Sequence, residues 1–492
     1  MGTASIAKVD NFITSKDFES TKFQKAGVRD HSASMDAKLS AKLGYTPNET
    51  DEYSFTILTQ NAFKNIQSNA IYGGPWRDYP TYDKTSMYVK TKTLIAPKTF
   101  VNFTAYYDRY YNVMKQFDDN KYLLQNTRKS FNSEYNDYSL GGILNLTTEA
   151  LKNNVITLSI NEKYDQHKER NQEIKANKKI GQKFVAGEPE QVYKDNTLFF
   201  GLEDVIKFNS YLKAVVGLSY NTRNNILAQE YGTHYLTGKK NQLYDFPTGK
   251  DNAFDYKAGV ILEPAKAHTF TLSFAKRSRF ASQKERYSSR FGSAVPNPDL
   301  KSEYTLAYDL TYSGRLGHKL QYEVSGFIND IQDAIFQKTV GKDSSGNPIG
   351  QNVNIGKALF QGVEVAFGYS PIEYLTIGAN YSFIEMKDKT GDNNGHFTNV
   401  PTHKGMAYLN VNVPQIRSVI NMNVETYGKR YLTSQGEQSP DFTLLNAKWS
   451  VALIKGLNFD LGVKNLLDKD YYLSYGYPKE GRTFITSLSY NF

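Results

Sequence analysis

The sequence predicts an all-β chain, a transmembrane antiparallel β-barrel of about 19 strands, on three observations. Apolar and polar residues alternate through runs of roughly 9–15 residues, well beyond the ~5–6 usual in soluble sheets. Short and long connections between those runs alternate strictly. The chain also carries 37 Tyr and 29 Phe at a mean hydropathy of only −0.56, with no apolar run near the ~18 residues of a spanning helix. A barrel dilutes its membrane signal in this way, because every second residue faces a wet lumen.

Composition removes several alternatives. The absence of cysteine excludes disulfides and thiolate metal sites. A net charge of +9 is scattered through connections without a nucleic-acid motif, so no nucleic-acid partner is expected. Met1 to Asp10 has no basic segment followed by an apolar core and does not read as an export signal. The 7 His (His31, His167, His234, His268, His318, His396, His403) are dispersed, and no HExxH or phosphate-cradling loop is present. No catalytic group, metal or cofactor is therefore expected, and the protein does not read as an enzyme.

Residues 1–34 are charged and weakly patterned, and read as a remnant extracellular loop or a disordered N-terminus. The barrel is expected over 35–492. Strands are expected near 35–45, 52–61, 85–96, 99–114, 129–149, 154–168, 192–208, 211–228, 252–264 and 268–282. The rest fall near 300–313, 319–336, 351–369, 373–386, 401–414, 417–429, 441–454, 458–466 and 481–492. Period-two alternation carries each assignment. Val101, Phe103, Ala105 and Tyr107 alternate with Asn102, Thr104, Tyr106 and Asp108. Leu375, Ile377, Ala379, Tyr381 and Phe383 sit against Thr376, Gly378, Asn380 and Ser382. The last run puts Phe484, Thr486, Leu488, Tyr490 and Phe492 on one face, with Ile485 the exception on the other. Glu364, Glu425, Lys448, Asp460 and Lys464 fall on polar faces, expected to point into the lumen. An odd count starts the chain on the long-loop side, which reads as a barrel lacking its beginning.

Four motifs in sequence order resemble the C-terminal barrel of TonB-dependent outer-membrane receptors. They are Arg286 to Gly292 followed by Pro296-Asn297-Pro298-Asp299-Leu300 to Glu303; Asn354 to Gly356 with Gly362 and Glu364; Val400 to Lys404; and Gly462 to Tyr472. The last of these, holding Asn465, Asp468 and Tyr471, is followed by Gly481, Arg482 and the terminal Phe492. The resemblance implies a barrel of 22 strands, of which strands 4 to 22 are expected here, without the plug and the TonB box. It also implies placement in the outer membrane of a Gram-negative cell, against outer-membrane lipid. The implied activity is uptake of a ferric siderophore or similar scarce ligand. Coupling to the TonB complex is expected only where plug and box are supplied, and the last strand is expected to engage the barrel assembly machinery. Cobalamin, haem or copper are alternative ligands, and a passive porin-like or surface-binding barrel is the alternative function.

Ligand contacts are expected on the long loops. Trp76, Arg77, Tyr79 and Tyr82 form one group, and Tyr231, His234 and Tyr235 a second. Arg286 and Arg290 add cations. Aromatic faces with a guanidinium suit an anionic, partly aromatic chelate; packing among the loops themselves is the plainer role for the same side chains.

Overall fold

In the computed structural model, residues 1–127, 130–176, 183–234, 237–288, 294–342, 346, 348–390, 396–433 and 436–490 are described. They form one 23-stranded sheet with a few short ribbons on its rim. Three members, Lys183–Gly187, Gln242–Asp245 and Ala294–Val295, are brief rim segments, which leaves 20 long strands among the described residues. Each long strand pairs antiparallel with the next in the chain. All 19 expected strands are present, most with bounds displaced by a few residues, while some, such as Trp76–Ala96 and Asn154–Ala176, start or end eight or nine residues beyond the expected bound.

The twentieth is a correction. Gly2–Val9 is a strand, laddered to Ser34–Tyr45 from Gly2↔Ala41 to Val9↔Ser34. Its Thr3, Ser5 and Ala7 give little contrast with Ala4 and Ile6, so period-two patterning was faint there. The count is thus even, and this first strand begins at the short-turn rim rather than on the long-loop side. Residues 10–33 are not loose either: Thr14, Ser15, Gln24 and Arg29 are almost fully buried. Arg29 donates to Gln24 Oε1 at 2.6 Å and to the Ser68 carbonyl.

The faces follow the alternation. Phe103, Leu140, Leu158, Leu202, Leu218 and Leu272 stand exposed on the outer surface, where hydrocarbon rather than water would cover them. Tyr138 lies between Tyr107 and Tyr164, at 6.2 and 6.0 Å, an outward aromatic girdle of the kind that marks a membrane interface. Polar groups pair across the lumen face. Lys448 Nζ lies 3.4 Å from Asp460, and Asn446 Nδ2 donates to Glu425 Oε1 at 3.0 Å. No helix among the described residues is long and apolar enough to cross a membrane.

Several strands run far past the ~9–11 residues a bilayer needs. Trp76–Ala96 has 21 residues and Asn154–Ala176 has 23. Their outer ends form a wall above the girdle. The expected loop over 62–84 is therefore mostly strand, and Trp76, Arg77, Tyr79 and Tyr82 stand on a rigid sheet.

Candidate ligand-binding face

The wall begins with the strand Trp76–Ala96 and its neighbour Thr99–Phe117. A register irregularity between Asp78 and Thr81 twists the strand locally. Arg77 Nε donates to Gln116 Oε1 at 2.8 Å. Tyr79 donates to Met114 Sδ at 3.4 Å. Tyr82 is held edge-on between Tyr79 at 5.6 Å and Tyr110 at 5.0 Å, with Lys64 Nζ 3.8 Å from its ring centre. The structure thus gathers Arg77, Tyr79 and Tyr82 and adds Lys64 and Tyr110, which sequence reasoning missed. Trp76 stands opposite Phe117 in the ladder, its indole Nε1 buried without an acceptor among the described residues.

Loops pack around this end. Residues 118–127 and Ser130 are organised by Asp118, which accepts the backbone N–H groups of Asn126 at 2.6 Å and Thr127 at 3.0 Å, and the Ser130 hydroxyl. Burial pushes the Asp118 carboxyl up, but these donors outweigh it and hold it below the usual carboxylate range. Tyr122 on the same loop stacks on His31, with ring centres 3.3 Å apart. Burial pushes the Tyr122 phenol up to about 12. His31 Nε2 lies 2.6 Å from Asp78.

A second group lies further round the wall. His167 Nδ1 is 2.7 Å from Asp137 and its Nε2 is 3.7 Å from Glu169. The rings of Tyr135 and Tyr193 each lie 5.7 Å from it. Tyr193 continues to Tyr287 at 6.0 Å, Tyr287 to Phe246 at 5.3 Å, and Phe246 to Tyr244 at 5.2 Å. His234 then lies tilted against Tyr244 at 4.6 Å. An aromatic seam therefore runs from Tyr135 to His234. Tyr231 pairs through its backbone with Leu243 in a short ribbon, and Tyr235 lies outside the described residues. The seam joins strands far apart in sequence, so only the ladder registers could reveal it.

The motif residues are placed as braces. Arg286 is 5% exposed; it donates to Asn225 Oδ1 and, at 2.9 Å, to the Pro298 carbonyl. Its guanidinium is committed to the loop rather than presented to solvent. Asn225 in turn donates to Asp195, which also holds Arg223. The Asn297 side chain donates to the Asn352 carbonyl and the Asn352 side chain to the Glu285 carbonyl, each at 2.8 Å. Gln351 donates to the Pro296 carbonyl at 3.1 Å. Leu300 is 1% exposed and Asp299 is exposed. Arg290 lies outside the described residues. Gly362 lets Phe327 and the Phe383 carbonyl close in on its backbone, and Glu364 accepts from Ser382 at 3.4 Å.

The closing motif clasps an early segment of the chain. Asn465, in a left-handed conformation at φ 49°, donates to the carbonyls of Lys469 at 2.8 Å and Glu480 at 3.1 Å. Asp468 accepts the N–H groups of Arg482 at 2.8 Å and Lys16 at 3.2 Å. Arg482 Nε reaches the Leu466 carbonyl at 2.7 Å. Tyr471 packs on Phe442 at 4.9 Å. Phe492 lies outside the described residues.

An up-and-down sheet with an apolar outer band, short turns on one rim and a tall aromatic wall on the other defines an outer-membrane barrel protein. A family model described as "TonB dependent receptor-like, beta-barrel" matches residues 21–466, and the chain belongs to that family, one of transporters rather than enzymes. It lies in the outer membrane. The chain is 26% identical over 216 residues to the "Iron-regulated outer membrane virulence protein" of Vibrio cholerae serotype O1, covering 41% of this chain and 33% of that protein. It is 25% identical over 339 residues to the "TonB-dependent heme receptor A" of Haemophilus influenzae, covering 60% and 44%. The chain thus spans less than half the length of these relatives. Among solved structures, "Copper transporter OprC" aligns with a TM-score of 0.81 at 16% identity, over 100% of this chain and 75% of that one. The unliganded "ferric citrate transporter FecA" aligns with a TM-score of 0.71 at 14% identity, over 94% and 71%. At these identities the likeness is one of fold.

Proposed function

We propose that this chain is the barrel of a receptor for TonB-dependent uptake of a ferric siderophore or a similar scarce, anionic ligand. The family match over 21–466 carries the receptor part of this reading. The ligand part is supported by the wall, where Arg77 and Lys64 stand among Tyr79, Tyr82 and Tyr110. Aromatic faces stack on planar chelating groups, and the cations offset negative charge. Relatives named for haem and for iron regulation are consistent with it, whereas the likeness to a copper transporter rests on fold alone. Energised import needs a plug and a TonB box to couple the barrel to the TonB complex. Insertion uses outer-membrane lipid and the assembly machinery acting on the last strand.

Trp76 provides the readout. The chain is assembled into lipid vesicles and titrated with ferric catecholates, ferric hydroxamates, ferric citrate, haem, cobalamin and copper, following indole fluorescence. Saturable quenching by a ferric chelate, shifted to higher ligand concentration in Arg77→Ala, is the expected result. Binding of copper or cobalamin with no response to any ferric chelate overturns the ligand assignment. Steady ion conductance in planar bilayers with no ligand response points instead to a passive pore.

A further inference from the structure

Four neighbouring strands, Thr99–Phe117, Phe131–Thr148, Asn154–Ala176 and Gln191–Lys207, line up row by row on the outer surface. Residues directly opposite in a ladder share a face. The rows nearest the short turns are apolar: Val101, Leu146, Leu158 and Leu202 stand opposite one another in turn, as do Phe103, Leu144, Ile160 and Phe200. Two rows further out, Tyr107, Leu140, Tyr164 and Asn196 carry the aromatic girdle. The next row on that face is Arg109, Tyr138, Gln166 and Lys194. Lys168 and Arg170 follow Gln166 at every second residue, so they face the same way. From Thr99 to Arg109 the strand has run about the ~9–11 residues that cross a bilayer. The cations therefore stand where hydrocarbon gives way to headgroups.

Two of these cations are engaged within the protein. Arg170 donates to Glu134, and Lys168 Nζ lies 2.7 Å from Glu190. Arg109 Nε reaches the neutral Asn136 amide at 3.2 Å and stands exposed. Among the described residues neither Arg109 nor Lys194 has a carboxylate partner. Glu162, the remaining carboxylate on this patch, lies below the girdle row and accepts from Asn196 at 3.0 Å. Other outward cations near this level are occupied: Lys387 Nζ lies 2.9 Å from Glu385, and Lys276 donates to the Phe254 carbonyl at 3.0 Å.

We propose that this patch docks a phosphorylated glycolipid of the outer leaflet, with Arg109 and Lys194 each taking a phosphate. A guanidinium grips a phosphate through two parallel N–H bonds, and an ammonium meets it as a point charge. The two side chains stand three strand spacings apart, about 14 Å. That separation suits a headgroup with a phosphate at each end, and a lipid with one phosphate can satisfy only one of them. The rings of Tyr107, Tyr138 and Tyr164 lie between the cations and the apolar rows, with an apolar body toward the acyl chains and a hydroxyl toward the headgroup. Tyr135 and His167 occupy the opposite face of the same sheet, so this lipid site is separate from the ligand-binding wall.

Lipid retention tests the site. The full chain is assembled in phosphatidylcholine vesicles containing diphosphoryl lipid A, dephosphorylated lipid A or phosphatidylglycerol. Lipid kept through detergent purification is measured only in the fraction that migrates as folded, heat-modifiable barrel. Diphosphoryl lipid A is expected to be retained about tenfold above either other lipid, and Arg109→Gln with Lys194→Gln is expected to remove that preference. Arg109→Lys with Lys194→Arg should restore it, and Lys387→Gln, which alters a paired cation on the same surface, should leave it unchanged. Equal retention of the three lipids by the unaltered chain overturns the proposal, and that arm needs no variant to fold. An undiminished preference in the folded Arg109/Lys194 double variant overturns the assignment of those two residues. A barrel that keeps none of the lipids and elutes as two copies gives the patch to self-association instead.

Discussion

Asp468 and Gly481 are fitted to each other: Asp468 Oδ1 stands 2.6 Å from where a Cβ on residue 481 would lie, and that oxygen accepts the neighbouring Arg482 N–H at 2.8 Å. The Ser15 backbone lies 2.8 Å from the same point. Gly481 is therefore required for close approach rather than for a left-handed backbone. Gly481→Ala is expected to lower stability by about 1–3 kcal/mol, the usual cost of forcing atoms into a packed site. The check is the temperature at which the folded gel band is lost. An unchanged temperature would show that the clasp yields.

Arg77 and Tyr82 separate ligand contact from fold. Both lie on the wall, and neither braces a loop as Arg286 does. Arg77→Ala and Tyr82→Ala are each expected to weaken binding of an anionic ferric chelate by about 0.5–2 kcal/mol. Folded gel mobility should stay the same. Fluorescence titration measures the first and heat-modifiability the second.

Arg286 behaves in the opposite way. Its charged donors satisfy Asn225 on the strand Leu212–Gly232 and the Pro298 carbonyl of its own loop, and such bonds contribute about 1.5–3 kcal/mol each. Arg286→Ala is expected to expose the segment 283–288 to protease at Lys284 while leaving affinity changed less than in Arg77→Ala. Intact resistance to cleavage would remove Arg286 from its bracing role.

The Asp118 loop should loosen in acid. Its carboxyl is held below the ordinary range in the folded loop, so the folded form binds the proton less readily than the open form does. That contribution is fully present above the ordinary carboxylate value and is lost as pH falls through the depressed one, below about pH 4. Hydrogen exchange at Asn126, Thr127 and Ser130 should therefore accelerate, beyond its intrinsic pH dependence, on acidification from about pH 5 to about pH 3. Asp118→Asn should show the faster exchange already at neutral pH.

Local alternation was enough to place Val101 to Tyr107 or Leu375 to Phe383 on one face, because side-chain direction along a strand depends on sequence position alone. Neighbour relations were legible too, since tight turns leave consecutive strands little choice but to pair. Gly2–Val9 escaped because small residues carry little hydropathic contrast. Trp76 to Tyr82 read as loop in the sequence because nothing local marks how far a strand continues above the membrane.

The sequence by itself determined a barrel, its two rims and its receptor motifs, since period, turn length and motif are written in adjacent residues. Only the tertiary structure decided that His167 meets Asp137 and Tyr193, that Arg286 is a brace, and that Asp468 holds Lys16. Those contacts depend on ladder register and loop packing between distant segments, which no local pattern records.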